Sequence, residues 1–397
     1  MMANASAHDA RTAGLGGYAV FAALLSAAGL PIYIHAPKFY VDEFGVSLAA
    51  LGAVLFGLRL LDVIQDPLLG KLAVATANLR ALAMAIGVTV LCFGMIGLFA
   101  IKPKFSPVVW FAVMLTLVFS AFSFLTISFY AQGVAKGAGI IAGGHLRLAR
   151  WRETGALLGG CAASIAPFLL IAFTDAPFSG FAFGFALLGL CALGLMRHEW
   201  QSNTPRAGLG FGVVLKDRQA RRLLLIALVN AAPVAVSSTL FLFFVESRLG
   251  ASGQEGVLLL LFFISAACAA PVWAILAQKF SVKAVLLGAM ILAVVAFGFA
   301  MTLGAGDTAA FTVICIATGA AMGADLTLLP AAFAARMARI SPSAAEGFGL
   351  WAFVSKLSLA FAAIILLPLL EHNGFSSGRA NSDEALWLLT LLYAGVP

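Results

Sequence analysis

The sequence predicts an all-α integral membrane protein of two six-helix bundles, with about twelve spanning helices and a short last one. Three observations predict it. Of 397 residues, 62% are hydrophobic and only 10% are charged, where soluble domains carry about 25% charged and 45–50% apolar residues. Apolar runs of the roughly 20 residues that cross a bilayer recur along the chain. They cover 14–36, 48–72, 81–101, 108–132, 153–173, 179–197, 223–246, 256–277, 284–304, 309–334, 347–369 and 384–397. Lys and Arg then alternate between the loops on the two sides.

With the N-terminus inside, the inner segments hold seventeen Lys and Arg: Arg11; Lys71 and Arg80; Lys136, Arg147, Arg150 and Arg152; Arg197, Arg206, Lys216, Arg218, Arg221 and Arg222; Lys279 and Lys283; Arg336 and Arg339. The outer loops hold five, namely Lys38, Lys102, Lys104, Arg248 and Arg379. This bias sets orientation, with a cytoplasmic N-terminus, and the expected location is the inner (cytoplasmic) membrane. The net charge of +7 therefore reflects orientation and not affinity for nucleic acid. The first expected partner is a lipid bilayer, with the chain acting as a monomer.

The polar first 13 residues lead into a retained first span and not a cleaved signal peptide. The last run is too short to cross unaided, so the chain either ends in a half-helix or is a fragment. Cys92, Cys161, Cys191, Cys268 and Cys315 all fall inside spans without metal-type spacing, as small apolar packing residues. No cofactor and no resident metal are expected.

The longest basic inner connection, 198–222, separates an N-terminal bundle (1–197) from a C-terminal one (223–397). Two six-span halves related by an axis along the membrane normal are the architecture of the major facilitator fold. An internal echo agrees: "DPLLGKLA" around Pro67 faces "APVWAILA" around Pro271, and only the first half carries charges there. The pairs Gly155–Gly159, Gly180–Gly184 and Gly319–Gly323 have the spacing that lets helices approach closely. "GFSSG" (374–378) matches a nucleophile elbow in pattern but lacks the strand, helix and acid–His partners that elbow needs.

The charges inside spans require a reason. Arg59, Asp62 and Asp66 follow helical spacing and share one face of span 2. Each would cost about 2.5–3.5 kcal/mol facing lipid at mid-bilayer, so they face protein or water. Two carboxylates four residues apart repel, and Arg59 offsets only one. A bound cation or a proton completes the balance, against the alternative of a purely structural cluster. Asp325 in span 10 and Lys356 in span 11 lie, like Asp62, about 15 Å from the inner end of their helices. Two arrangements stay open: Lys356 pairing with Asp62 when no cation is bound, or a static Lys356–Asp325 pair.

Three stretches are informative together: "FYVDEFGVSLAALGAVLFGLRLLDVIQDPLLG" (39–70), "HLRLARWRETGALLGG" (145–160) and "EGFGLWAFVSKLSLA" (346–360). The chain resembles the glycoside–pentoside–hexuronide:cation symporter family of the major facilitator superfamily. That family has Tyr-x-Asp at the end of span 1 and Arg-x-x-Asp-x-x-x-Asp-Pro in span 2, here Tyr40 and Asp42, then Arg59, Asp62, Asp66 and Pro67. Arg152 matches the family's substrate-contacting arginine, His145 replaces an earlier arginine, and Lys356 matches the span 11 lysine. The resemblance implies that Asp62, Asp66 and Ser123 hold the coupling cation, H⁺ or Na⁺, with Arg59 and Lys356 assisting. It implies substrate contacts at Tyr130, Tyr33 and Arg152, with Trp351 and Asp325 joining the set.

Departures accompany it. Ser26 stands where the family has a sugar-binding aspartate, Leu25 where it has a lysine, and Thr126 where it has another aspartate. The gate after span 2 has also lost its acid, since "KLAVATANLR" follows Gly70. The expected function is a cation-coupled secondary transporter of a small polar solute such as a sugar or sugar derivative. The alternatives are a lysolipid or amphipathic-metabolite transporter, or a non-transporting sensor or assembly factor. An enzyme is disfavoured: His8, His35, His145, His198 and His372 are scattered, and no catalytic set emerges.

Overall fold

Helices fill the computed structural model, which describes residues 14–140, 144–201, 210–340, 344–375 and 381–396; no strand occurs among them. In chain order the long helices are α1 (Leu15–Phe44), α2 (Leu48–Ala75), α3 (Arg80–Phe99), α4 (Pro107–Gly139), α5 (Gly144–Leu170) and α6 (Pro177–Gln201). A short helix, Phe211–Lys216, precedes α7 (Arg218–Phe243), α8 (Glu255–Lys279), α9 (Val282–Ala300), α10 (Thr308–Ile340), α11 (Ala345–His372) and α12 (Asp383–Thr390). Each expected span coincides with one helix, and seven of the helices among the described residues are long and apolar enough to cross a membrane.

The ends differ where charged residues continue a helical pattern. Span 5 was expected from residue 153, but α5 begins at Gly144. Leu148, Ala149, Arg152 and Glu153 are all buried, and that recurrence is a helical face running on through the charges. Arg152 is therefore a buried helical residue and not an inner-loop charge. Between α1 and α2 the turn is tight. Gly45 takes the left-handed conformation (φ 62°) and donates its N–H to the Tyr40 and Val41 carbonyls, a glycine-dependent helix stop. Ser47 then caps α2 by accepting from the Ala50 N–H at 3.3 Å.

The chain divides into two compact units: Met1–Arg221 with Phe333–Phe353, and Arg222–Ala332 with Val354–Pro397. In the first, α5 lies directly on α1. A Cβ added at Gly155 would sit 2.6 Å from the Ala19 Cα, and one at Gly159 would sit 2.5 Å from the Ala23 Cα. Phe21, Phe129 and Trp200 fill the space beside this crossing, at ring separations of 5.0 and 5.3 Å. The Trp110 indole N–H donates to the Gly97 carbonyl at 2.8 Å and ties α4 to α3. At one end, Gln132 links Arg80 (2.5 Å) to the Glu199 carbonyl (2.7 Å), and Lys136 pairs with the Glu199 carboxylate at 2.7 Å.

The same unit contains the end of α10 and the start of α11. Gly70 and Gly349 touch there: a Cβ on Gly70 would lie 3.3 Å from the Gly349 Cα. Glu346, buried, accepts from the Gly210 N–H at 3.0 Å. Asp217 pairs with Arg336 and caps α7 by accepting from the Ala220 N–H at 2.7 Å.

In the second unit α10 crosses α8 at Gly319 and Gly323, where added Cβ atoms would meet the Phe262 carbonyl carbon (2.9 Å) and the Ala266 oxygen (2.6 Å). The Trp273 indole donates to the Ala320 carbonyl at 2.7 Å. The wider helical turn Leu391–Gly395 that continues the short last helix carries Tyr393, which stacks on Phe244 at 4.3 Å. Gly180–Gly184 departs from expectation: nothing lies within 4 Å of a Cβ at Gly184, and Gly180 meets only side chains of its own hairpin at 3.4 Å or more. Cys191 and Cys268 are likewise exposed and not packed inside. A hydrocarbon surround explains both, because lipid tails are as apolar as a core. The exposure of Ile64 (67%) and Leu190 (68%) has the same cause. The "GFSSG" serines, Arg11, Arg206 and Arg379 lie outside the described residues.

Candidate functional site

α2 brings Asp62 and Asp66 to one buried face, 5% and 0% exposed. Pro67 follows inside the helix. It has no N–H, so the Val63 carbonyl loses its usual helical donor beside the carboxylates. Gln65 donates its amide to Asp62 Oδ1 at 2.7 Å, and its own carbonyl accepts from the Ser120 hydroxyl at 2.9 Å. This two-bond bridge joins α2 to α4. Ser123, one turn beyond Ser120, is 3% exposed. Two carboxylates and a backbone carbonyl thus lie close in sequence on α2, with Ser120 linked to Asp62 through Gln65, and oxygens of these kinds are what a hard cation or a proton uses.

Ser120, Ser123, Thr126 and Tyr130 follow helical spacing along α4. The stripe is about 15 Å long. Its far end carries a second cluster. The Arg152 guanidinium lies 3.8 Å from the centre of the Tyr130 ring, a cation–π contact of about 2 kcal/mol in a dry setting. The Arg152 Nε donates to Glu153 Oε1 at 2.7 Å, and the Tyr130 hydroxyl donates to the same oxygen at 3.1 Å. Arg152 and Glu153 are each 5% exposed. Phe348 packs on Tyr130 at 5.1 Å. Arg152 Nη2 and Thr126 Oγ1 are buried with no hydrogen-bond partner among the described residues.

The other expected site residues are spread out. Ser26, half-buried on α1, faces α5 at Gly160. Trp351, half-buried on α11, packs on Phe333 at 4.9 Å. In the second unit Asp325 accepts from the Asn230 amide at 3.3 Å, and Lys356 is half-buried on α11. The side chains of Arg59, Tyr33 and Asp42 lie outside the described residues, although their helices do not. No group of three metal-ligating side chains occurs among the described residues.

Sequence reasoning missed Gln65 and Glu153. Gln65 carried a signal, since it is a lone amide in an apolar run three residues after Asp62. Glu153 carried none, because adjacent helical residues do not normally face each other. Here two long side chains bend to meet.

The family described as MFS/sugar transport protein matches residues 15–397. The chain belongs to this family. It is thus a multi-pass membrane transporter of the major facilitator superfamily, with the fold the sequence predicted. No curated protein matches the transporter by sequence. Solved structures share its fold. The proton:xylose symporter XylE bound to 6-bromo-6-deoxy-D-glucose has a TM-score of 0.57 at 16% identity, over 96% of this chain and 93% of that one. The E. coli fucose:proton symporter FucP has a TM-score of 0.60 at 15% identity, over 96% of both chains. A bacterial homologue of the iron transporter ferroportin, outward-facing with soaked iron, has a TM-score of 0.67 at 14% identity, again over 96% of both. At these identities the likeness is one of fold.

Proposed function

We propose that this transporter couples the movement of a cation to that of a small polar solute, a sugar or sugar derivative, by alternating access, as in the glycoside–pentoside–hexuronide:cation symporters it resembles. One observation carries the reading: Asp62 and Asp66 are buried together on one turn of α2. Two carboxylates so placed repel each other, and positive charge among their partners eases that repulsion. In this reading a proton or Na⁺ from the membrane gradient contributes part of it. Two proteins of the same fold are named as proton symporters of xylose and fucose, which favours the proton and a sugar.

In this reading Asp62 and Asp66 carry the cation, Ser123 adds an oxygen, and Gln65 orients Asp62. Arg152 and Tyr130 meet the solute. α4 holds residues of both clusters, so a shift that improves one site acts on the other, and each ligand raises the affinity for its partner by the same factor. The transporter sits in the inner membrane with its N-terminus in the cytoplasm.

Substituting Asp62 by Asn tests the coupling. In proteoliposomes the variant should lose uphill accumulation under an imposed H⁺ or Na⁺ gradient while still exchanging solute for solute. Accumulation at the level of the unaltered protein would sink the proposal, and the gradient that drives the unaltered protein identifies the ion.

A further inference from the structure

We propose that Glu153 sets the charge preference of the solute site, making it select an uncharged polyhydroxyl solute over the corresponding acid. The inference rests on reading Arg152 and Tyr130 as solute contacts. The Arg152 guanidinium is closed on two sides: the Tyr130 ring covers one face at 3.8 Å, and Glu153 occupies Nε at 2.7 Å. Its Nη2 is buried without a hydrogen-bond partner among the described residues. A buried guanidinium N–H with no acceptor is a costly omission, so the group that completes this position is an acceptor oxygen.

The chemistry of that oxygen follows from the charge already present. Glu153 cancels Arg152, and its Oε1 is also held by the Tyr130 hydroxyl at 3.1 Å, so the carboxylate cannot swing aside. A carboxylate on the solute would enter beside a fixed like charge in a poorly screened interior. A sugar hydroxyl accepts from Nη2 without that repulsion. Thr126 points the same way: its hydroxyl, four residues before Tyr130, is buried and without a partner, and it can give or take a hydrogen bond from another hydroxyl. A bare arginine would favour anions, and this arginine comes with its counter-ion.

Methyl glucoside and methyl glucuronide share one ring and differ by a charge, so the ratio of their affinities reads the preference. Binding is measured by ligand-dependent melting of the purified transporter. One pH is kept throughout, because His145 lies seven residues before Arg152 on the same helix. The unaltered protein should bind the glucoside at least tenfold more tightly. Glu153→Gln keeps an acceptor for Arg152 and Tyr130 but removes the charge, and should move the ratio at least tenfold toward the glucuronide. Arg152→Gln should move it the other way, and this holds as the test if Glu153→Gln does not fold. The double variant, neutral at both positions, should return the ratio to within threefold of the original, which a merely structural role for Glu153 would not produce. An unmoved ratio in the single variants, or a preference of the unaltered protein for the glucuronide, overturns the proposal. Binding of neither sugar by the unaltered protein overturns it together with the sugar reading, and leaves the Asp62→Asn test of coupling standing.

Discussion

Asp62 is held by a residue that has no charge. Gln65 presents its amide N–H to the carboxylate and turns its carbonyl to Ser120, so one side chain fixes the carboxylate and anchors it to α4. Partners that orient a ligand in this way change cation affinity about 10–100-fold when removed. Gln65→Leu, of similar volume, should therefore raise the cation concentration needed for half-maximal transport by at least tenfold, with little change in maximal exchange. Cation-dependence curves in proteoliposomes check this; an unchanged half-maximal concentration would reduce Gln65 to a packing residue. The contrast with Asp62 itself explains what could be read in advance. A carboxylate among leucines costs so much in lipid that its burial against protein is legible from sequence alone. An amide or an adjacent acid, such as Gln65 or Glu153, acquires its role from the side chain it reaches, and that partner is set by the fold.

Helices show the same division between what sequence states and what packing decides. Gly155–Gly159 and Gly180–Gly184 read alike, yet only the first pair has a helix laid on it. The number and order of the helices were legible from hydropathy, while the early start of α5 was not, because hydropathy counts charges one by one and cannot see that Arg152 and Glu153 neutralise one another. The N-terminus of α7 offers a test at this scale. Asp217 caps it and pairs with Arg336. The hydrogen bond from Arg336 holds the Asp217 carboxyl down to about 2, below the ordinary value of about 3.9. A depressed folded-state value contributes stability above the ordinary value, and that contribution fades as pH falls toward 2. Asp217→Asn retains a good cap but cannot titrate. Its melting temperature should lie below that of the unaltered protein at pH 6, and the gap should close as the pH falls to about 2. Asp217→Ala loses the cap as well and should be less stable than Asp217→Asn by about 1 kcal/mol. A gap between the unaltered protein and Asp217→Asn that is constant over this range would mean the ion pair contributes nothing.

For the whole chain the governing fact is its solvent. Side chains such as Leu68 and Leu190, more than half exposed, would aggregate in water but match a hydrocarbon surround. This is why composition and periodicity sufficed for the fold, and why they were silent on the solute. Orientation is the remaining property of the entire molecule, and we propose it from charge placement, since loops rich in Lys and Arg tend to stay on the cytoplasmic side. The hairpin of α8 and its neighbours makes this testable. Ser252 precedes α8 next to a loop with a single Arg, and Ser281 follows α8 between Lys279 and Lys283; both are exposed. With the five native cysteines replaced, Ser252→Cys should react with a membrane-impermeant maleimide added to intact cells. Ser281→Cys should react only after the cells are opened. The reverse pattern would invert the transporter in its membrane and, with it, the side from which the proposed cation reaches Asp62 and Asp66.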